Sequence, residues 1–395
     1  MFDPASRRRL FLRPGREKSL RNRHPWVFDG AIAREEGPRE AALADAIDAR
    51  GNRIASGFYS AHSQIRLRAI AFGEDELSEA LLRARIAAAV ARRAPILDGG
   101  TTACRLIHSE GDDLSGLIAD RYGDALVVEI TSAGLEKVSD IAIDELRALT
   151  GSRSVYLKND LPARKLEHLP LEDRIVGETP REETIREHGL SFRVAPGAGQ
   201  KTGFFLDQRE NRALVRTLAR DREVLNLFAY SGGFGVYAAS GGARSVEEVD
   251  VSEDAIALAR ANHDLNGSGG VAQFVAADAF QHVRRLASEG RRYDLIVADP
   301  PAFARTRGEV ERAARGYKDI NLYAFRLLRP GGLLLTFSCS GHMGTDLFQK
   351  IVFSAALDAG REARILHRLG AGPDHPISIY CPEGEYLKGL VVEVT

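Results

Sequence analysis

Read for the spacing of apolar and polar positions, the 395-residue chain shows three textures. The first has short runs of period two broken by Gly, Asp and Pro. It predicts strands over Arg9–Leu12, Ala44–Asp48, Ile54–Tyr59 and Ile65–Ile70, in a small β domain of residues 1–74. Helical spacing over Glu76–Arg93 opens the second texture. Strands are expected near Cys104–His108, Gly116–Asp120, Ala125–Thr131 and Ser154–Lys158, with a helix near Leu135–Leu149. Together these predict a compact α+β middle domain, residues 75–188, whose charged, proline-bearing end from 159 onward reads as a linker.

From Gly189 to Thr395 the pattern changes again. Strands at Val224–Phe228, Ser245–Asp250, Gln273–Ala276, Tyr293–Ala298 and Gly332–Ser338 alternate with helices, among them Gln208–Leu218, Phe280–Leu286 and Tyr317–Leu328. That alternation predicts an α/β fold with a doubly wound parallel sheet. A last helix over Leu347–Ala359 and strands near Ala363–Leu369 and Leu387–Val394 predict a C-terminal hairpin whose reversed last strand is inserted in the sheet.

Composition narrows the class. Apolar residues at 44% and charged residues at 28% exclude a disordered, fibrous or membrane chain. No 18-residue apolar run exists, and the basic N-terminus has no apolar stretch behind it, so neither a membrane partner nor a secretory signal is expected. Cys104, Cys339 and Cys381 make no disulfide framework and show no metal-ligand spacing, which points to a reducing cytoplasmic home and no metal. A net charge of −1 gives no overall nucleic-acid footprint, but the first 24 residues carry a surplus of six positive charges. Arg7, Arg8 and Arg9 head this strip as candidate RNA contacts; the other reading is a solvated basic tail. The single tryptophan, Trp26, is expected as a core aromatic.

Chemistry concentrates at predicted strand ends. Asn226 and Phe228 lead into Gly232, Gly233 and Gly235, a turn that allows close approach of a ligand to the backbone. The same glycines fit a loose dinucleotide fingerprint, so a nicotinamide enzyme is a rival. Asp250 ends the next strand, placed for ribose hydroxyls, and Asp278 the third, placed for an adenine amino group. Each acid alone also suits a helix N-cap. Three such features on successive strands favour an adenosine site. The fourth strand ends in Ala298-Asp-Pro-Pro-Ala-Phe, where Pro300 and Pro301 stiffen the loop that carries Asp299. Cys339 ends the fifth strand at the same sheet edge. A thiolate there can add to carbon 6 of a pyrimidine and make carbon 5 nucleophilic.

With these residues in view, the chain resembles bacterial S-adenosylmethionine-dependent methyltransferases of the large-subunit methyltransferase I type. The resemblance includes Arg23-His-Pro-Trp-Val-Phe-Asp-Gly-Ala-Ile, Arg105-Leu-Ile-His-Ser-Glu-Gly-Asp, Lys201-Thr-Gly-Phe-Phe-Leu-Asp-Gln-Arg, Tyr317-Lys-Asp-Ile-Asn, Asp374-His-Pro and Pro382-Glu-Gly-Glu-Tyr-Leu-Lys-Gly. It implies an N-terminal PUA-type RNA-binding domain and a class I Rossmann-like sheet. It further implies formation of 5-methylcytosine in 23S ribosomal RNA, with Cys339 as nucleophile and Asp299 activating the cytosine. Gln208, Asn226, Phe228, Gly232, Gly233, Asp250 and Asp278 would hold the cofactor, with Asp299 bordering it; Pro300 and Phe303 would face the flipped base. Phe303 packed under its loop is the other reading. Members of the family often pair, so a homodimer stays open. Alternatives are 5-methyluridine formation, guanine-nitrogen methylation with an incidental Cys339, and a non-enzymatic RNA-binding assembly factor.

Overall fold

A computed structural model describes residues 2–197, 202–304 and 306–395. Lys201, which opens one of the motifs above, lies outside the described residues. The chain divides into two compact units: Met1–Ile185 with Val194–Phe204 and Pro373–Gly384, and Arg186–Arg193 with Phe205–Gly372 and Glu385–Thr395.

The first unit holds two sheets. Six strands pair in the order Trp26–Phe28, Ile65–Phe72, Arg53–Tyr59, Leu43–Ile47, Arg8–Leu12, Ile32–Glu36. Two of them, Trp26–Phe28 and Ile32–Glu36, carry too few alternating apolar residues to be read from sequence; pairing to Arg68–Ile65 and Leu12–Arg9 creates them. Five further strands run Arg174–Gly177, Ser154–Leu157, Ala125–Ile130, Leu117–Tyr122, Ala103–His108. The sequence separates these sheets at residue 75, but one apolar core draws on both. Leu43, Phe58 and Ile70 of the first join Leu106, Leu126 and Val128 of the second, with Leu82 and Ile86 from the helix Glu79–Arg92.

The expected linker is structured. It contains the helix Pro162–Leu166 and the strands Arg174–Gly177 and Glu183–Glu187. Its charges suggest solvent, yet Arg164 is fully buried. The guanidinium donates to the carbonyls of Ile130 (2.7 Å) and Pro170 (2.9 Å) and to Glu136 (2.9 Å). These three acceptors offset much of the cost of burying the charge, although Nη2 is buried without a hydrogen-bond partner among the described residues.

In the second unit, seven strands form one sheet: β1 (Glu223–Leu227), β2 (Ser245–Asp250), β3 (Ala272–Ala276), β4 (Tyr293–Ala298), β5 (Leu328–Ser338), β6 (Ala363–Leu369) and β7 (Lys388–Val394). The order is β3-β2-β1-β4-β5-β7-β6. Strands β1 to β5 are parallel, whereas β7 runs antiparallel between β5 and β6. This is the Rossmann-like α/β class with the reversed final strand that the sequence predicts. Its helices are α1 (Arg209–Leu218), α2 (Gly233–Ser240), α3 (Glu253–Leu265), α4 (Ala279–Ser288), α5 (Val310–Leu327) and α6 (Thr345–Asp358). Helix α5 begins seven residues before the expected Tyr317, because its first turns are charged and exposed. A capping box formed by Thr306 and Glu309 opens the 3-10 turn Arg307–Glu309 that leads into it and is legible in Thr306-Arg-Gly-Glu.

Candidate active site

The parallel strands end along one edge, so their terminal residues converge there. Strand β1 leaves the sheet through a turn in which Phe228, Tyr230 and Gly232 have φ of 61°, 47° and 71°. Bulky residues at positive φ are costly by about 1–3 kcal/mol each and cluster where a site needs a fixed backbone. The carboxylate of Asp250 clamps this turn. One oxygen accepts from Tyr230 N (2.9 Å) and the other from Ser252 N (3.0 Å). Asp278 caps α4 through Gln281 N (2.9 Å) and stays exposed. The N-cap role and a ligand role are compatible, because a carboxylate has about four acceptor positions.

The glycines of this turn divide into two kinds. Gly232 begins α2 in the left-handed region. Gly235 is glycine for a packing reason: a Cβ there would lie 1.7 Å from the Glu248 carboxylate. Glu248, which the sequence reading missed, is fully buried and accepts from Asn226 Nδ2 (2.6 Å) and pairs with His263 Nε2 (2.8 Å). An acid on an otherwise apolar strand, with a histidine facing it from the next helix, is the signal it offers. Asn226 is thereby held with its Oδ1 buried and without a hydrogen-bond partner among the described residues.

Asp299, at the end of β4, accepts from Gln208 Nε2 (2.9 Å), and Gln208 in turn accepts from Asn211 Nδ2 (2.6 Å). The adjacent Pro300 carbonyl faces the Cys339 thiol, with Sγ 3.8 Å away. Gln208, Asp299, Pro300 and Cys339 therefore form one group. Ser340 fastens it: its Oγ accepts from Ala304 N (3.2 Å) and meets the Tyr317 hydroxyl (3.1 Å). Lys388, also missed by the sequence reading, is buried on β7 and donates to the carbonyls of Ser340 (2.7 Å) and Met343. Burial draws its ammonium below the ordinary lysine value, opposed by the charges of Glu385 and Cys339.

Phe303 is half-buried, its ring tilted against Tyr317 (4.7 Å between centroids) and Phe280 (5.9 Å). Packing under the loop is thus its observed setting. The arginines of the N-terminal strip are also engaged. Arg7 is only 5% exposed and bonds Asp45 (3.2 Å) and the carbonyls of Phe2 and Leu77 (both 2.7 Å). Arg8 pairs with Glu35 (2.7 Å) and the more exposed Arg9 with Glu36 (3.7 Å). Trp26 is half-buried; its Nε1 donates to Glu110 (2.9 Å).

Residues 168–379 match the family described as S-adenosylmethionine-dependent methyltransferase, and residues 10–72 match a PUA-like domain. The ribosomal RNA large subunit methyltransferase I of Tolumonas auensis is 47% identical over 97% of this chain and 98% of its own. Its namesake in Alteromonas mediterranea is 44% identical over 98% of each. The chain belongs to this S-adenosylmethionine-dependent methyltransferase family. Among solved structures, SMU.776 complexed with SAH superposes with a TM-score of 0.84 at 22% identity, covering 98% of this chain and 100% of that one, a likeness of fold.

The cofactor of this methyltransferase is S-adenosylmethionine, and the residues present suit it. Acceptors line the strand ends where a nucleoside needs them: the Asp250 and Asp278 carboxylates for hydroxyl and amino donors, and the orphaned Asn226 Oδ1 for a further N–H. The strained Phe228–Gly232 turn supplies a backbone already shaped for close approach. Among the described residues, no helix of the methyltransferase is long and apolar enough to cross a membrane.

Proposed function

We propose that this methyltransferase modifies carbon 5 of a cytosine in 23S ribosomal RNA through a covalent adduct with Cys339. The observation that carries the reading is the Cys339 thiol beside the Pro300 carbonyl, next to Asp299, on the loop joining β4 to α5. The names of its full-length relatives supply the RNA class.

Gln208, Asn226, Phe228, Gly232, Gly233, Asp250 and Asp278 hold the cofactor in this reading, with Asp299 at its border. When bound, S-adenosylmethionine supplies an electrophilic methyl group. The Cys339 thiolate adds to carbon 6 and shifts the ring electrons toward carbon 5, while Lys388 fixes the segment that follows Cys339 through the Ser340 and Met343 carbonyls. Asp299, held by Gln208, accepts a hydrogen bond from the cytosine amino group and orients the ring. After carbon 5 is methylated, a base takes its proton. The C5–H electrons restore the double bond and expel the thiolate.

The test is transfer of labelled methyl to 23S rRNA, read by nucleoside mass spectrometry, for wild type and Cys339→Ala. Labelled 5-methylcytidine from wild type alone is expected. Methylation of another nucleoside that survives loss of the thiol would overturn the mechanism. Naked rRNA should react faster than assembled subunits, and equal rates would refute that preference.

A further inference from the structure

We propose a second RNA-phosphate site on the methyltransferase unit, in a cleft built by Arg284, Arg292, Arg326 and Arg361 around Tyr323. The inference rests on the reading that the substrate is ribosomal RNA.

The cleft is open, about 660 Å³, and among the described residues that line it are four guanidinium groups and no carboxylate. Tyr323 stands between Arg284 and Arg326, each 5.3 Å from its ring centroid. Two of the four arginines are tied to the fold. Arg284 pairs with Asp319, and Arg361 donates to the carbonyls of Phe325 and Leu328. The other two are differently placed. Among the described residues, no carboxylate lies within ion-pair distance of exposed Arg292, whose Nη1 donates only to the neighbouring Arg291 carbonyl (2.8 Å), and none near exposed Arg326.

The surrounding elements explain how such a cluster persists. Helices α4, α5 and α6 all end at the cleft, at Ser288, Leu327 and Asp358. Their C-terminal carbonyls carry partial negative charge, which stabilises nearby cations. That stabilisation offsets part of the mutual repulsion and leaves the outward charge unneutralised. A polyanion completes it. Arginine forks match phosphate oxygens in paired hydrogen bonds, and two fixed and two free guanidiniums suit successive phosphates of a nucleic-acid backbone.

Position adds to the argument. Helices of a parallel sheet return toward the edge where strands begin, whereas Asp299 and Cys339 follow the ends of β4 and β5. The six residues of β4 separate the two edges by about 20 Å. An RNA reaching both must be folded or several nucleotides long, as a ribosomal RNA domain is. This site therefore selects extended substrates without touching the reacting base.

The experiment compares wild type with the Arg292→Gln/Arg326→Gln double variant for binding a transcript of one 23S rRNA domain, across a salt series. The variant should bind about tenfold more weakly at low salt, and its slope of log K against log salt should be shallower by about two. S-adenosylmethionine affinity and thermal midpoint, unchanged from wild type, certify the fold. A variant with wild-type affinity and slope overturns the proposal. So does inorganic pyrophosphate binding that the variant loses while its RNA affinity stays intact, which assigns the cleft to a free anion. Failure of wild type to methylate any rRNA would instead sink the functional reading, and the affinity comparison remains readable without it.

Discussion

The basic N-terminal strip and the arginine cleft of the methyltransferase unit make an instructive pair. In sequence the strip is conspicuous, with three consecutive arginines at 7–9, while the cleft draws its arginines from positions 284 to 361 and leaves no local trace. In the structure the order reverses. Arg7, Arg8, Arg9 and Arg21 meet Asp45, Glu35, Glu36 and Asp48 on neighbouring strands or turns. Arg292 and Arg326 meet no acid among the described residues. Charge that is dense along a chain can be neutral in space, because strand pairing brings acids from dozens of residues away.

This contrast is sharpest at Arg7. Its guanidinium is buried and paired, so Arg7→Met leaves Asp45 without its cation and should lower unfolding free energy by about 3–5 kcal/mol in urea titration. A loss below about 1 kcal/mol would return Arg7 to the surface strip. The Arg292→Gln/Arg326→Gln variant should lie within about 0.5 kcal/mol of wild type in the same titration.

His108 extends the comparison to a group buried without charge. Burial, aided by the Arg105 and His375 charges, lowers its pKa to about 3. Below the ordinary histidine range the unfolded chain takes up a proton that the folded one refuses, so stability falls as pH drops from 6.5 toward 3. Between pH 7 and pH 5 this group alone should remove about 2 kcal/mol. His108→Gln should flatten that part of the profile, and an unaltered slope would assign the loss to other groups.

The smallest effect is expected at Arg9. Its pair with Glu36 is long and about half exposed. Arg9→Ala should change stability by about 0.5 kcal/mol or less. If it nonetheless weakens RNA binding as strongly as the cleft variant does, the N-terminal strip and not the cleft is the principal phosphate contact.

Periodicity and strand-end chemistry are local properties, and they were legible. Alternating strands and helices indicated the parallel sheet; Asp250 ends a strand that the apolar pattern marks, and Asp278, Asp299 and Cys339 each follow one. A parallel sheet aligns strand ends on one edge, so a list of terminal residues already sketches a site. The weakly patterned strands Trp26–Phe28 and Ile32–Glu36 were not legible, since their partners create them.

Partnership is the part that only tertiary structure decided. Glu248 beneath Gly235, Lys388 donating to the Ser340 carbonyl, and Asp374 accepting from Arg105 N and Arg93 all join residues remote in sequence. The linker that became structure, the shared core of the two N-terminal sheets and the unpaired arginine cleft have the same origin. Sequence determines which groups exist and how each segment folds locally; whether a buried charge is matched or an exposed one left open depends on what other strands and helices bring beside it.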